Sequence, residues 1–530
     1  MGSEALLRMV PTRCNVAYDI LVFVGQALFK RFRTLEEVQT ELKMRNVHIS
    51  LSEIDYLGRK FIKYLALAHA QAAPRIRQKM QMAGGYVLHL DAAHEGDAPT
   101  LFSGLDSLSH FVLGNIKAPS ENAVHIKPFL KNIQDMYGTP IACVHDMGTG
   151  ICKAVNETFP GVQDYICHFH FLRDVGKDFL EPAYSRLRNR LKSFSATTEL
   201  RALIRQMRLS LGQYPDLPML VDAVNKKNRP HNVEMLPSLS AYSLALWALQ
   251  GKNIGNGYGF PFDRPLLNFT GRLLELAQYL PRLLEHPCGL EDDQKPLRIL
   301  AKKISSVAND PELIQATTEL RWRVEVFDDL RNAMRIATPD ESNGLNDDGP
   351  SEDMSSIRQC VEKFRLRLQM ESTLADDQLC IKMARQIDKY GEKLFADPIM
   401  VASPQGMITI YPQRTNNILE RFFRGLRRGH RRKTGNNSMR RALQAMIADT
   451  PLVKNLDNPA YMEILLNGKE SLEALFASIR YEDAEGRNRS NEDTDRILPG
   501  GRAIIKKQKL PEQILELFVK MKTAQDCQSN

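Results

Sequence analysis

Several features are scarce or missing in this 530-residue chain, and each absence closes a class of answers. The eight cysteines stand far apart at 14, 143, 152, 167, 288, 360, 380 and 527, with no Cys-x-x-Cys pair. That excludes a disulfide scaffold and a ribbon-type zinc site, and it fits reduced thiols in a reducing compartment. No apolar run is long enough to cross a bilayer, which takes about 20 residues. The most apolar early stretch, Ile20 to Phe29, is short and is followed by Lys30, Arg31 and Arg33. The N-terminus also lacks the charged-then-apolar layout of a secretory leader, so a soluble intracellular protein with no membrane partner is expected. Tryptophan is limited to Trp247 and Trp322, and no internal repeat is visible.

One further absence is local. Between Arg421 and Arg441 there is no acidic residue, while eight Arg and one Lys give +9. The whole chain carries +8, so everything outside that segment sums to −1. A solvated face normally mixes both signs of charge. A cation block of this density calls for a polyanion nearby, and a nucleic-acid backbone is the polyanion that fits. The remaining composition, 43% hydrophobic and 25% charged, is ordinary for globular proteins, and the length suggests three or four structural units.

The chain divides by pattern. Residues 1–82 are expected to be helical. Thr34-x-x-Glu37 and Ser50-x-x-Glu53 are capping boxes, each opening a stretch with apolar residues at helical spacing. Two capped helices around a short turn outline a helix-turn-helix that would present Ser52, Tyr56, Arg59 and Lys60 outward. A plain helical hairpin explains the same pattern equally well. Residues 83–177 alternate differently. Tyr86–Asp91, Thr100–Asp106 and His110–Lys117 read as three strands, followed by a helix from Glu121 to Gly138, a strand Ile141–Asp146, a helix Ile151–Phe159 and a strand Tyr165–His170. Three antiparallel strands followed by α-β units give the ribonuclease H-like order, an α/β core with a mixed five-stranded sheet. Residues 178–405 read as an all-helical insertion with an acidic loop at 338–353. Residues 406–480 return to the core, with a strand Gly406–Tyr411 and a basic helix from near Asn417. Residues 481–530 form a polar tail with a short helix at Glu512–Met521.

Within this order, Asp91 ends the first expected strand and Asp146 the fourth, and those strands are neighbours in a ribonuclease H-like sheet. Both carboxylates would then open into one crevice, although an Asp ending a strand is also a common turn residue. Glu420 is the natural third carboxylate. Asn417-x-x-Glu420 reads as a capping box, with Arg421, Arg424, Arg427 and Arg428 on the same helix, Gly429 as its stop, and His430, Arg431, Arg432 and Lys433 beyond. Three carboxylates suit phosphoryl transfer by two Mg²⁺ or Mn²⁺ ions about 4 Å apart, with flanking arginines holding phosphates. Cys167-His168-Phe169-His170 is too small a set for a zinc site, and reads from its residues as a bland strand with Cys167 and Phe169 on one side.

These residues resemble DDE transposases of bacterial insertion sequences, within the group related to Mutator-like and hAT elements. The resemblance rests on LHLDAAHEGDAPTLFSGLD around Asp91, CVHDMGTGICKAV around Asp146, CHFHFLRDVGKD from Cys167 and RTNNILERFFRGLRRGHRRKTGN around Glu420. It runs from about residue 15 to 480. It implies Asp91, Asp146 and Glu420 as catalytic and metal-binding residues, and Cys167 and His170 as a Cys-x-x-His motif beside them. It also implies an all-helical insertion before the Glu, DNA partners (the element's terminal inverted repeats and the target), a homo-oligomer on DNA, and a nucleoid-associated bacterial cytoplasmic protein. Many relatives carry a zinc module ahead of the helix-turn-helix, and no Cys/His cluster precedes residue 34 here. Two alternatives remain: a domesticated DNA-binding protein without transposition, and a ribonuclease H-like nuclease that hydrolyses without joining.

The basic segment yields a first test. Neutralising Arg427, Arg428, Arg431 and Arg432 should flatten the dependence of log affinity for DNA on log salt, by up to ~0.9 per lost phosphate contact. An unchanged slope in a fluorescence-anisotropy titration would mean that this face does not touch DNA.

Overall fold

A computed structural model describes residues 9–12, 14–226, 228, 233–286, 290–337 and 354–479. The expected acidic loop, the polar tail with its helix, and Cys288 and Cys527 lie outside the described residues. Contacts divide the described chain into two units. Unit 1 holds the residues up to Cys167 and from Ala396 onward, and unit 2 holds those from His168 to Phe395.

Unit 1 begins with α1 (Tyr18–Gly25), which passes into a π-helical turn at Gln26–Lys30. Next come α2 (Leu35–Met44) and α3 (Leu51–Met82). The Thr34 capping box is fully formed, with Thr34 Oγ1 accepting from Glu37 N and Thr34 N donating to Glu37 Oε2. At Ser50 the hydroxyl accepts from Glu53 N. The second helix runs for 32 residues and buries Ile54, Leu57, Phe61 and Leu65 as their spacing predicts. Lys60 departs from the outward face expected for it. It is 1% exposed, with its ammonium donating to the Thr12 carbonyl and to Tyr56 Oη at 3.3 Å. Those internal acceptors explain its burial, and they remove Lys60 from any DNA-facing surface.

The sheet follows: β1 (Val87–Ala93), β2 (Thr100–Asp106), β3 (Val112–Ala118), α4 (Ala123–Tyr137), β4 (Ala142–His145), α5 (Thr149–Thr158) and β5 (Gln163–Ile166). The strand order is β3-β2-β1-β4-β5. The first three strands are antiparallel neighbours, while β4 runs parallel to β1 and β5 parallel to β4. Leu88 and Leu90 of β1 point into the larger core with Phe102, Phe129 and Ile133. Val87 points the other way, into a smaller cluster with Val144, Tyr165, Ala396 and Ile410. By alternation, His89 and Asp91 share the Val87 face.

The strand expected over Tyr165–His170 ends at Ile166, and His168 already opens a helix. The run Cys167–Leu172 is apolar at nearly every position, so its period alone is ambiguous. The helix prevails because the stripe continues through Val175, Phe179, Leu180, Ala183 and Leu187, at spacings of three and four.

Unit 2 is helical among the described residues: α6 (His168–Ser193), α7 (Ala196–Gly212), α8 (Leu217–Asn225), α9 (Leu236–Gln250), α10 (Pro265–Leu284), α11 (Lys295–Ala308), α12 (Pro311–Met334), α13 (Met354–Met370), α14 (Ser372–Ala375) and α15 (Gln378–Leu394). Two bidentate ion pairs tie its helices, Arg190 to Asp310 and Arg323 to Asp377. Trp247 carries the Arg272 guanidinium over its ring, centroid distance 4.6 Å.

Unit 1 then resumes with a hairpin, β6 (Ile399–Ser403) and β7 (Gly406–Ile410), of which only the second strand was expected. After it come α16 (Asn417–Thr434), α17 (Arg440–Ala445), a 3₁₀ stretch at Thr450–Asp457, α18 (Pro459–Leu466) and α19 (Leu472–Ala477). These pack with the N-terminal helices around Tyr64, Tyr461 and Phe476. Gly429 does not stop α16, which continues to Gly435, a left-handed C-cap with φ 69°. Gly429 serves close approach instead: a Cβ there would sit 2.1 Å from the Phe32 ring.

Within this core, His69 is buried between Tyr461 Oη (2.8 Å from Nδ1), Tyr137 Oη (2.7 Å from Nε2) and the Leu113 carbonyl. Burial disfavours its charged form and lowers its pKa to about 4. The unfolded chain, with a His pKa of about 6.5, binds a proton that the folded chain refuses, so stability falls as pH drops from 6.5 towards 4. His69 should account for about 3 kcal/mol of that loss. Urea unfolding of the wild type and His69→Gln across this window should show a shallower pH slope in the variant. Equal slopes would place the loss elsewhere.

Candidate active site

The candidate site lies where β1 and β4 run side by side. Val87 pairs with Ala142 and His89 with Val144. Carried two residues further, the same parallel register sets Asp146 opposite Asp91. Asp91 is not the last residue of its strand, since β1 continues to Ala93 and Asp91 still pairs with Ser103 of β2. Asp91 is buried, and its Oδ1 accepts from Ala92 N at 2.8 Å. Asp146 follows β4 and is half-buried, its Oδ1 accepting from Gly148 N at 3.0 Å. His145 holds the backbone here, with its ring bonded to the Asp146 carbonyl and to Asp164 Oδ1 of β5, each at 2.5 Å.

Glu420 reaches this corner through α16. The N-cap is Asn416, not Asn417, and the expected capping box does not form. The reason is that the Asn416 side chain is occupied elsewhere. Its Nδ2 donates to the Leu90 carbonyl at 2.6 Å, and its Oδ1 lies 2.8 Å from His89 Nδ1. Because an amide oxygen only accepts, His89 Nδ1 carries the proton. Burial lowers the His89 pKa to about 4, which keeps the ring neutral. Meanwhile Asn416 N donates to Cys167 Sγ at 3.2 Å, and Asn416 O accepts from Glu420 N at 3.0 Å. One fully buried residue thus ties the strand of Asp91, the end of β5 and the first turn of Glu420's helix. Sequence reading missed Asn416 and His89, although a His two residues before the Asp was visible as the same-face neighbour.

A fourth carboxylate joins the three. Glu121, in the turn before α4, is half-buried, and its pKa is raised by burial and then by Asp146. The turn can approach because residue 150 is glycine: a Cβ there would meet the Glu121 carbonyl oxygen at 1.9 Å. Asp91 has its pKa raised well above the ordinary carboxylate range, first by burial, then by the charges of Asp146, Glu420 and Glu121. The four carboxylates therefore share one electrostatic neighbourhood. The donor set suits a hard divalent cation: it offers oxygens alone, and a bound cation would relieve the mutual repulsion that raises the pKa of Asp91 and Glu121. The geometry is not a closed cage. Among the described residues no three His, Cys, Asp or Glu side chains converge closely enough to hold one ion. Mg²⁺ needs only one or two protein carboxylates alongside waters and phosphate oxygens, so Asp91, Asp146 and Glu420 remain compatible with it.

Cys167 follows β5 and accepts from Asn416, and His170 lies in the first turn of α6. The basic residues are largely where their spacing suggests. Arg421, Arg424, Arg427, Arg428, Arg431 and Arg432 are exposed on or at the end of α16. Lys433 is half-buried near Asp55 and Glu36, and burial lowers its pKa. Arg59 is exposed but paired with Asp55 at 3.0 Å. Folding also returns some acid to the cation block, since Arg440 makes a bidentate pair with Asp97.

No protein-family model matches the sequence, and a search of curated proteins returns no match.

Asp91 generates a test that needs no activity. A carboxylate whose pKa is raised on folding costs stability that grows as pH rises through the ordinary carboxylate range. In metal-free buffer at pH 7, Asp91→Asn should therefore unfold at higher temperature than the wild type, by about 1–3 kcal/mol of stability. Millimolar Mg²⁺ should raise the wild-type melting temperature and leave the variant's unchanged. A less stable variant, or an equal Mg²⁺ response in both, would contradict this account of the site.

Proposed function

We propose that the protein is a DDE transposase with a ribonuclease H-like catalytic core, cutting DNA and joining the freed end to a target. The observation that carries this reading is the corner itself: the β1–β4 register sets Asp146 opposite Asp91, and Asp91 has its pKa raised first by burial and then by the charges of Asp146 and of Glu420 from a distant stretch of chain. The strand order β3-β2-β1-β4-β5, with the first three antiparallel and the last two parallel to β1, supports the ribonuclease H-like assignment. The exposed arginines that begin one residue after Glu420 support a phosphodiester substrate.

Asp91, Asp146 and Glu420 would hold one or two Mg²⁺ or Mn²⁺ ions. Bound there, the ions supply charge stabilisation of the attacking and leaving oxygens in an in-line displacement. The chain's own contribution is placement. Asn416 fixes the first turn of α16 against β1, so Glu420 and Asp91 keep a constant separation. His145 fixes the backbone of Asp146. Arg421 and Arg424 hold the phosphates that flank the reacting one without reading base sequence. In the first displacement, a water oxygen attacks phosphorus and the 3′-oxygen leaves, taking a proton, to give a 3′-hydroxyl and a 5′-phosphate. In the second, that 3′-hydroxyl attacks a target phosphodiester, and the bond broken is the target's own P–O3′ bond. Neither step links protein to DNA.

The test uses purified full-length protein, labelled duplexes taken from the DNA that flanks the gene, and Mg²⁺ or Mn²⁺. Joined products should form and should disappear in Asp91→Ala, Asp146→Ala and Glu420→Ala. Cleavage without joining would convert the assignment to a nuclease. Binding without cleavage would convert it to a DNA-binding protein derived from a transposase, and full activity in Asp146→Ala would refute the site.

A further inference from the structure

Strand β1 passes Asp91, ends at Ala93 and turns back into β2 through residues 94–99. Two carboxylates of that turn lie on the stretch of chain between α16 and α17. Asp97 holds Arg440 through a bidentate pair, with Nη2 donating at 2.6 Å and Nε donating to the other carboxylate oxygen. Glu95 Oε2 accepts from Met439 N at 2.7 Å. The Glu95 carboxyl is held below its ordinary pKa first by the Ser438 hydroxyl, then by that N–H, with the charges of Arg427 and His430 adding to the effect. Gly96 shapes the turn: its φ is 61°, and a Cβ there would lie 3.6 Å from Arg440 Cδ.

The cation block from Arg421 to Arg441 has no acid of its own. The acid that Arg440 meets comes from 343 positions away in the chain. A clamp that only held the turn in place would need no more than the Glu95 bond to a backbone N–H. The Asp97 pair is a different kind of contact. The Arg440 side chain is 51% exposed and that of Asp97 18%, and an ion pair so open to water adds little to stability. Its geometry is nevertheless specific, because the guanidinium fork that fits a carboxylate fits a phosphate equally well. Asp97 therefore presents to Arg440 the two oxygens that a phosphodiester would present.

We propose that Asp97 is an internal stand-in for a backbone phosphate: it occupies Arg440 in the free protein and yields it when a DNA strand lies along the basic segment. This rests on the DNA binding of the function proposed above. It adds Arg440 as a phosphate contact and supplies that contact with a built-in competitor. Binding then has to displace the carboxylate, so the free protein holds DNA less tightly than its cations alone would.

The test is a double-mutant cycle on the full-length protein, read by fluorescence anisotropy with a labelled DNA duplex over a series of salt concentrations. Asp97→Asn should bind about three- to fivefold more tightly than wild type, the scale of one exposed ion pair that no longer has to be broken. Arg440→Gln should flatten the dependence of log affinity on log salt by up to ~0.9, one phosphate contact. Removing the competitor should matter little once its cation is gone, so adding Asp97→Asn to Arg440→Gln should change affinity by less than about twofold. Both side chains reach the surface and the Glu95 bond is untouched, so equal melting temperatures are expected for all four proteins. Unchanged affinity in Asp97→Asn, or an unchanged salt slope in Arg440→Gln, would overturn the stand-in while leaving the strand-transfer assay free to succeed. The expected cycle without any joined product would overturn the transposase assignment alone. Absence of DNA binding by wild type and Asp97→Asn alike would overturn both.

Discussion

Everything at the candidate site hangs on the side chain of Asn416. It touches the strand of Asp91, the cysteine that follows β5 and the helix that carries Glu420. Its amide donates to the Leu90 carbonyl and accepts a hydrogen bond from His89 Nδ1, while its backbone N–H donates to Cys167 and its carbonyl accepts from the first turn of α16. In a buried location a polar group must find partners or cost the full desolvation of the atoms left unsatisfied. Asn416 finds them on β1 and β5 only when α16 starts at one place. Helix position is thus fixed by hydrogen-bond satisfaction as well as by burial of Leu419, Phe422 and Phe423, and the placement of Glu420 relative to Asp91 inherits that constraint. Aspartate would keep the acceptor for His89 but lose the donor to Leu90, so the amide is the group this junction requires.

That rigidity has an electrostatic cost. Holding Asp91 in a buried position while Asp146, Glu420 and Glu121 press on it raises its pKa and opposes ionisation. The arginines of α16 do not cancel this, because the helix aims them at solvent. The molecule therefore gathers acid in a corner of the sheet and arrays base along the exposed face of α16. Ion pairs inside the corner would be more stabilising, yet they would leave nothing for a cation or a phosphate to neutralise. The pattern makes sense where both arrive together, the phosphate on the arginines and the cation on the carboxylates.

How much of this was legible in the sequence depends on whether local or distant forces decide. The Thr34 box formed because its two hydrogen bonds close within one turn, and the three antiparallel strands kept their places because they are short apolar runs bounded by turn residues and buried in the sheet. Asn417-x-x-Glu420 has equally good local chemistry and failed, since residues more than 300 positions away on β1 compete for the amide next to it. Gly429 reads as a helix stop by the usual rule, but its missing side chain makes room for the Phe32 ring. Lys60 reads as an exposed cation, but it finds the Thr12 carbonyl inside. Glu121 could not be distinguished from any acid in a turn until Gly150 brought that turn to the loop of Asp146. In each instance the deciding partner is remote in sequence, which no local pattern encodes.

The insertion point follows from the same junction. Unit 1 breaks off after Cys167 and resumes at Ala396, and both residues belong to the β1–β4–β5 corner of the sheet. Cys167 accepts from Asn416, and Ala396 packs with Val87 and Val144 in the smaller cluster. The two ends left by an inserted segment are thus pinned within unit 1 by a hydrogen bond and by apolar contact. A long segment between them costs little in closure entropy, because that cost grows only with the logarithm of length. A helical unit of more than two hundred residues thus enters and leaves unit 1 at two anchored positions. Shifting Cys167 would instead pull directly on Asn416, which sets the first turn of Glu420's helix.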